Sequence, residues 1–326
     1  MHISALRDLI ESSDLAGLVR AVENLVGDQD WNGIEQLRDW CREAVERGKQ
    51  LWGIAQFAEY RMALEAPPQN AGAVVREGAG RDALGPLWEV AASTHTWSEL
   101  APHIVDPRSR TLVAHERAIR GDEVDATDLD LSVIDVPLEQ ELWEPRYPVA
   151  KYFADRAAFP ESDLPDMSWV ELDGPEESFG GSTGSDALLD LAQVWVDQSS
   201  GRSEARAVSG SALHAIRSFG IRRARITSVS FADALARMVW VGASGGAYGR
   251  RRGTPVGRAS AWWAIACLAG IEDDWPVLPR DLGEVGSSLK WYLWDPGDAV
   301  GGWNFHLAVE DPIDGLAWAV SAVDWK

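Results

Sequence analysis

Residues 230–270 read SFADALARMVWVGASGGAYGRRRGTPVGRASAWWAIACLAG, and their pattern decides the fold class. Ser230, with Asp233 three residues on, is a helix-starting pair, and Leu235, Met238, Val239 and Gly242 follow at the spacing of one helix face. That helix ends at Gly245 and Gly246. A second begins at Thr254, a capping residue, with Pro255 in the first helical position, and runs through Trp262, Trp263, Ile265 and Leu268 to Gly270. It is apolar nearly all round, which predicts a buried central helix. Three alternating runs then read as strands: 290–294, 303–309 and 316–323. Asp295-Pro296-Gly297-Asp298 starts the first connection, and Asp311-Pro312-Ile313-Asp314-Gly315 is a tight-turn signal between the second and third. The last run also fits the period of a helix capped by Asp311, through Ile313, Leu316, Ala317 and Val320; a hairpin is the preferred reading.

Upstream, residues 1–121 read as helices. Leu15, Leu18, Val19, Val22, Leu25 and Val26 recur at helical spacing, as do Trp31, Ile34, Leu37, Cys41, Ala44 and Val45. Leu51, Ile54, Ala55, Ala58 and Met62 continue the pattern until Pro67-Pro68 stops it. Shorter helices fit Gly85 to Ser93, Trp97 to His103 and Arg108 to Arg120. Helix pairs without a fixed repeat period predict a helical bundle or an irregular α-solenoid. Residues 122–178 are richer in Asp, Glu and Pro and carry short extended runs such as Leu131-Ser132-Val133-Ile134-Asp135-Val136. They read as an acidic connecting region with a few strands, tied down at Trp143, Tyr147, Tyr152, Phe153 and Trp169. Gly180 to Ser185 leads into a helix with Leu188, Leu189, Ala192 and Val196 on its apolar face. The predicted class is mostly α with an α+β C-terminal domain over 179–326, built from the buried helical hairpin and a small antiparallel sheet.

Charge is segregated along the chain. Of 326 residues, 51 are acidic and 30 basic, a net charge of −21. Residues 121–190 hold 19 acidic and three basic side chains, whereas residues 202–258 hold 11 arginines against Glu204 and Asp233. Two opposite blocks in one chain are expected to neutralise each other; an external anion is the alternative. The overall charge repels a polyanion, so nucleic acid is not the expected partner. No apolar run reaches the roughly 20 residues of a membrane span. The start, Met1 to Asp8, lacks a basic region followed by a short apolar core, and the expectation is a soluble intracellular chain. Cys41 and Cys267 sit far apart in apolar helical stretches and read as reduced, packed thiols. Most of the 17 tryptophans fall inside apolar patterns and read as core, with a minority available to line a groove.

The candidate ligand site is the loop Gly245-Gly246-Ala247-Tyr248-Gly249-Arg250-Arg251-Arg252-Gly253, with Arg258 one turn into the following helix. Its glycines allow consecutive N–H groups to form a concave donor surface. Three arginines stand just before a helix N-terminus, where the macrodipole disfavours positive charge by roughly 0.3 to 1 kcal/mol each. A negative group is therefore expected beside them, either the chain's own carboxylates or a phosphate- or carboxylate-bearing ligand. The loop is neither a Walker loop, since its lysine and Ser/Thr are missing, nor a dinucleotide fingerprint, since a helix precedes it. Gly180 to Ser185 has no basic residue and reads as a connection.

Catalytic signals are weak. His306 is the one candidate, on the more polar face of its strand with Glu310, about 13 Å further along and too far to touch it. Glu310 and Asp311 read as solvated turn residues. His95, His103 and His115 lack metal-ligand spacing, and His115 reads as a hydrogen-bonded, partly buried imidazole; no metal site is expected. No serine sits in a nucleophile elbow.

The loop 245–253, the segment Gly257-Arg258-Ala259-Ser260-Ala261-Trp262-Trp263, the run Leu307-Ala308-Val309-Glu310-Asp311-Pro312 and the stretch Thr94 to His103 resemble an uncharacterised family of actinobacterial proteins known as a domain of unknown function. The resemblance covers most of the chain. It implies a bacterial cytoplasmic setting and no activity, cofactor or catalytic residue. The sequence thus points to a non-catalytic cytoplasmic binding or protein-interaction protein. The rival is an enzyme or sensor that holds a phosphorylated or carboxylated small molecule through Arg250, Arg251, Arg252 and Arg258. A tryptophan-lined sugar-binding protein is a third reading, disfavoured by the absence of an export signal.

Overall fold

The computed structural model describes residues 3–81, 83–161, 164–174, 178, 181–297 and 302–325. Met1 and His2 of the start, Gly180 of the glycine-serine connection and Asp298 of the 295–298 turn lie outside them. The chain forms two compact units, Met1–Val133 with Ala150–Phe159, and Ile134–Val149 with Pro160–Lys326. The acidic stretch 122–178 therefore contributes to both.

The first unit is helical: α1 (Ile3–Ser12), α2 (Leu15–Gly27), α3 (Trp31–Glu46), α4 (Trp52–Glu65), α5 (Pro68–Val74), α6 (Leu87–Thr94), α7 (Trp97–Leu100) and α8 (Pro107–Ile119), with a small ladder of β1 (Lys151–Tyr152) and β2 (Ala157–Ala158). Local chemistry sets the boundaries. Asp14, Asp30 and Asp106 each accept the amide three residues on and cap α2, α3 and α8. Thr96 and Glu99 form a capping box at α7. Most of the expected apolar stripes is buried, Leu18, Val22, Leu25 and Val26 on α2 and Ile34, Leu37, Cys41 and Ala44 on α3, but Leu15 and Val19 stay 51% and 38% exposed. Pro67-Pro68 ends one helix as expected, but Pro68 also opens α5, since a proline in the first turn loses no helical hydrogen bond. One run departs from expectation. Leu131–Val133 is a 3-10 turn and not extended, because Asp130 accepts from the Ser132 amide and hydroxyl and curls the backbone.

The second unit is α+β. Its elements are β3 (Ser168–Glu171), α9 (Thr183–Leu191), α10 (Gln193–Gln198), β4 (Arg202–Ser209), α11 (Ala212–Arg217), β5 (Arg223–Val229), α12 (Phe231–Ala243), α13 (Thr254–Leu268), α14 (Pro279–Ser288), β6 (Lys290–Asp295), β7 (Trp303–Asp311) and β8 (Leu316–Asp324). The strands form one antiparallel sheet in the order β3-β5-β6-β7-β8-β4. Residues 316–324 are a strand, so the hairpin reading is the correct one. The sheet is larger than the three runs read from the sequence. In β5, Arg223 and Arg225 are exposed while Ala224 and Ile226 are buried, and that alternation is masked in the sequence by the arginine content.

Helices cover the sheet on both faces. Trp291 packs against Phe231 and Trp303 against Trp240 of α12, and Trp318 meets α9. On the other face Val208, Ile226, Trp294, Ala308, Ala317 and Ala319 pack with Ala212, Ala215 and Ile216 of α11. The face of β7 that carries His306 and Glu310 is the more polar one, as read, but α11 covers it, so His306 is buried and not exposed. Although Thr254 is already helical and Gly253, not Thr254, stands at the N-cap of α13, over the first face α12 and α13 form the expected buried hairpin. Their backbones touch where Gly242 meets Gly257: a Cβ on Gly257 would stand 2.3 Å from the Val239 carbonyl oxygen. Of the aromatics expected to tie down 122–178, Tyr147 and Tyr152 are buried, while Phe153 and Trp169 stay 40% and 48% exposed. Trp169 instead carries the Arg223 guanidinium, 4.5 Å from its ring centre.

Both cysteines are buried and free, and burial pushes each thiol up to about 12. A thiol-exchange reagent at pH 8 is expected to find no reactive thiol in the folded chain and both after denaturation. Rapid labelling of either cysteine in the native protein would contradict this packing.

Candidate functional site

Between α12 and α13 the loop 245–253 closes on itself. Gly245 lies against the backbone of Gly249, where an added Cβ would be 2.1 Å from its carbonyl oxygen, and Gly246 takes a φ of +69°. The loop amides do not converge on a single acceptor; each meets a different oxygen of the same unit. The Gly246 amide donates to Ser244 Oγ at 3.0 Å, Ala247 to Asp324 Oδ2 at 2.6 Å, Tyr248 to Ser199 Oγ at 3.1 Å and Arg250 to Gln198 Oε1 at 3.1 Å. Arg252 and Gly253 both donate to the Ala243 carbonyl. Asp324, fully buried, accepts from one of these amides, that of Ala247. The Tyr248 side chain points outward, 62% exposed.

The four arginines of this region have different surroundings. Arg258 is fully buried on α13, and its Nε and Nη2 donate to the two Glu144 oxygens at 2.7 and 2.5 Å. Its remaining donors reach the carbonyls of Pro137 and Glu139. Glu144 also accepts from the Tyr147 hydroxyl and, at 3.3 Å, from Trp262 Nε1. Burial, then the Glu144 charge, drive the Tyr147 hydroxyl well above the usual phenol range. Arg251 reaches the Thr254 hydroxyl at 3.4 Å, and the Arg250 side chain is exposed. Arg252 differs from them all. It is half-buried, its Nη2 donates to Ser260 Oγ at 3.1 Å, and among the described residues no carboxylate lies within ion-pair distance of it. Burial lowers its pKa, and the more distant Asp190 only partly offsets this.

Away from the loop the two charge blocks do meet. Arg237 pairs with Glu161 at 2.6 Å and Arg223 with Glu171 at 3.3 Å, so with Arg258 and Glu144 three arginines of 202–258 face three carboxylates of 121–190. Arg237 also donates to the Asn304 carbonyl. These partners could have been sought in the sequence, since Leu142-Trp143-Glu144-Pro145-Arg146-Tyr147 sets an acid between aromatics within the acidic block. Nothing in the pattern singles out Glu144 from its neighbours.

His306 lies on the α11 face of β7 and is 8% exposed, its ring 4.7 Å from that of Trp294. Pairing between β6 and β7 stops at Leu293 and Leu307, and beyond it His306, Trp294, Arg237 and Asn304 line a cavity of about 90 Å³. Glu310 points to the same face as His306, as expected, but it is not a solvated turn residue. It accepts the Ala212 amide at the start of α11 and the Lys290 ammonium at 2.7 Å, which holds that ammonium above its usual pKa. Asp311 accepts the Ile313 and Asp314 amides and closes the turn. His95 bonds the Ala66 carbonyl, and His115 is buried on α8. Ser182 caps α9 and accepts Trp318 Nε1, an anchoring role for the glycine-serine segment. No group of three or more metal-ligating side chains occurs among the described residues.

Residues 16–314 match a family described as a family of unknown function, DUF6183, and the chain belongs to it. No curated protein and no solved structure matches the chain. The family is consistent with the resemblance carried by the loop, the α13 start and the end of β7.

The buried pair gives a stability prediction. Removing one partner leaves the other charge uncompensated in the interior, so Arg258→Met and Glu144→Leu are each expected to cost about 3–5 kcal/mol. The double variant should recover much of that loss, because no buried charge is left unpaired. Denaturant titration of the four proteins checks this; strictly additive losses would contradict it.

Proposed function

We propose that this DUF6183 protein is a non-catalytic binding protein of the bacterial cytoplasm, and that its ligand is a small phosphorylated or carboxylated molecule held at the end of the Gly/Arg loop. One observation carries the reading: Arg252 is a partly desolvated guanidinium whose hydrogen-bond partner is a neutral hydroxyl. Removing a charge from water without a counter-charge is unfavourable, and a planar guanidinium fork offers two parallel donors to a carboxylate or phosphate. Arg252 and Ser260 Oγ together supply donors on one side of such a group. The loop amides already hold Asp324 and its neighbours, so they shape the loop and leave the guanidinium as its ligand-facing group. Arg258, satisfied by Glu144, fixes α13 beneath it. Two free, buried cysteines fit a reducing compartment.

Thermal unfolding at constant ionic strength tests the reading. Inorganic phosphate, nucleoside phosphates and dicarboxylates are compared with potassium chloride. A true ligand at a hundred times its Kd adds about 2.7 kcal/mol of stability. The response is expected to vanish in Arg252→Gln and to weaken when Arg250→Ala and Arg251→Ala are combined. A melting temperature unmoved by the whole panel, or a response that Arg252→Gln leaves intact, would overturn the proposal; in the first case an unresponsive chain that captures a defined protein partner would restore the interaction reading.

A further inference from the structure

The helical unit contains a cavity of about 270 Å³. That exceeds the roughly 150 Å³ cavity that accepts benzene in an engineered protein interior. One face of α4 lines it at helical spacing: Gly53, Gln56, Phe57 and Tyr60. The opposite face, with Ile54, Ala55, Ala58 and Met62, is buried in the bundle. The cavity side of α4 thus carries two aromatic rings, of which Tyr60 is buried and Phe57 is partly exposed. The Tyr60 hydroxyl donates to the Phe153 carbonyl and holds the 150–159 segment across the site. Leu84, 42% exposed, forms a lip.

The charge around the cavity has a sign. Asp155 is the one ionisable carboxylate among the lining residues, and none of them is cationic. Its partner Arg156 stands 3.3 Å away, but both side chains are more than two-thirds exposed, and such a pair holds its members weakly. Arg61, 5.8 Å from the Phe57 ring centre, is matched by both Glu23 and Glu65. Aromatic faces beside a carboxylate favour an organic cation over a neutral isostere, and both over an anion. Gly53 lines the cavity with open space beside it, since an added Cβ would meet no atom within 4 Å. The geometry points to this cavity as a binding site for a small aromatic ammonium ion. The site belongs to the helical unit and shares no residue with the Gly/Arg loop, so neither proposal depends on the other.

Calorimetric titration of the full chain with phenethylammonium, 2-phenylethanol and phenylacetate tests it. Phenethylammonium is expected to bind saturably, about five-fold more tightly than the alcohol, with phenylacetate the weakest. Gly53→Leu fills the cavity from a helical position that favours leucine over glycine, so it should fold and lose all three ligands. Asp155→Asn, at an exposed position, should remove the advantage of the ammonium and leave the alcohol unchanged. Absence of saturable binding, binding that survives Gly53→Leu, or phenylacetate as tight as phenethylammonium would overturn the assignment.

Discussion

A guanidinium with no solvent exposure has to be matched inside the protein, and the second unit is organised around that requirement. Arg258 lies on α13, a largely buried helix, and Glu144 is the carboxylate that meets it. Glu144 comes from a segment of 16 residues, Ile134–Val149, that joins this unit while the residues on either side belong to the other. Strong geometry and full hydrogen bonding are the conditions under which such a pair is tolerated, and both are present: two bonds from Arg258, with further donors from Tyr147 and Trp262. The pair therefore specifies where an otherwise irregular, acidic segment must lie. Trp143, stacked between Phe231 and Trp262, closes the same seam with apolar surface.

From that seam the rest follows in layers. The helix α13 carries Arg258 on one side and approaches α12 through Gly257 on another. The helix α12 lays Phe231 and Trp240 on the sheet, and the sheet buries its second face under α11. Because α12 ends and α13 begins in rigid, packed surroundings, the loop between them is held by bonds from Gln198, Ser199, Asp324 and Ala243, not by its own residues alone.

Much of this was legible wherever a short-range rule operates. Apolar spacing placed most helices, cap and proline signals bounded the 230–270 pair, and the Asp311 to Gly315 turn placed the last hairpin. The strands β4 and β5 were not legible, because arginines on alternate positions read as a basic block before they read as a period of two. The burial of His306 was missed for a different reason. A strand's second face looks polar in sequence when only its own residues are considered, and α11, which buries it, is six residues long and leaves little pattern.

The site was legible in kind but not in detail. Segregated charge implied that arginines and carboxylates of the two blocks would meet, and Arg258, Arg237 and Arg223 do so. Which arginine would meet a hydroxyl and no carboxylate among the described residues depends on tertiary packing, and the adjacent Arg250, Arg251 and Arg252 look alike on paper. The account rests on the Arg258 pair as the clamp of Ile134–Val149. Hydrogen exchange of that segment in Glu144→Gln, which keeps the shape and removes the charge, tests it most directly. Its amides should exchange about a hundredfold faster than in the parent chain, while the β7–β8 ladder keeps its protection. Unchanged exchange across 134–149 would contradict the claim that this pair holds the segment in place.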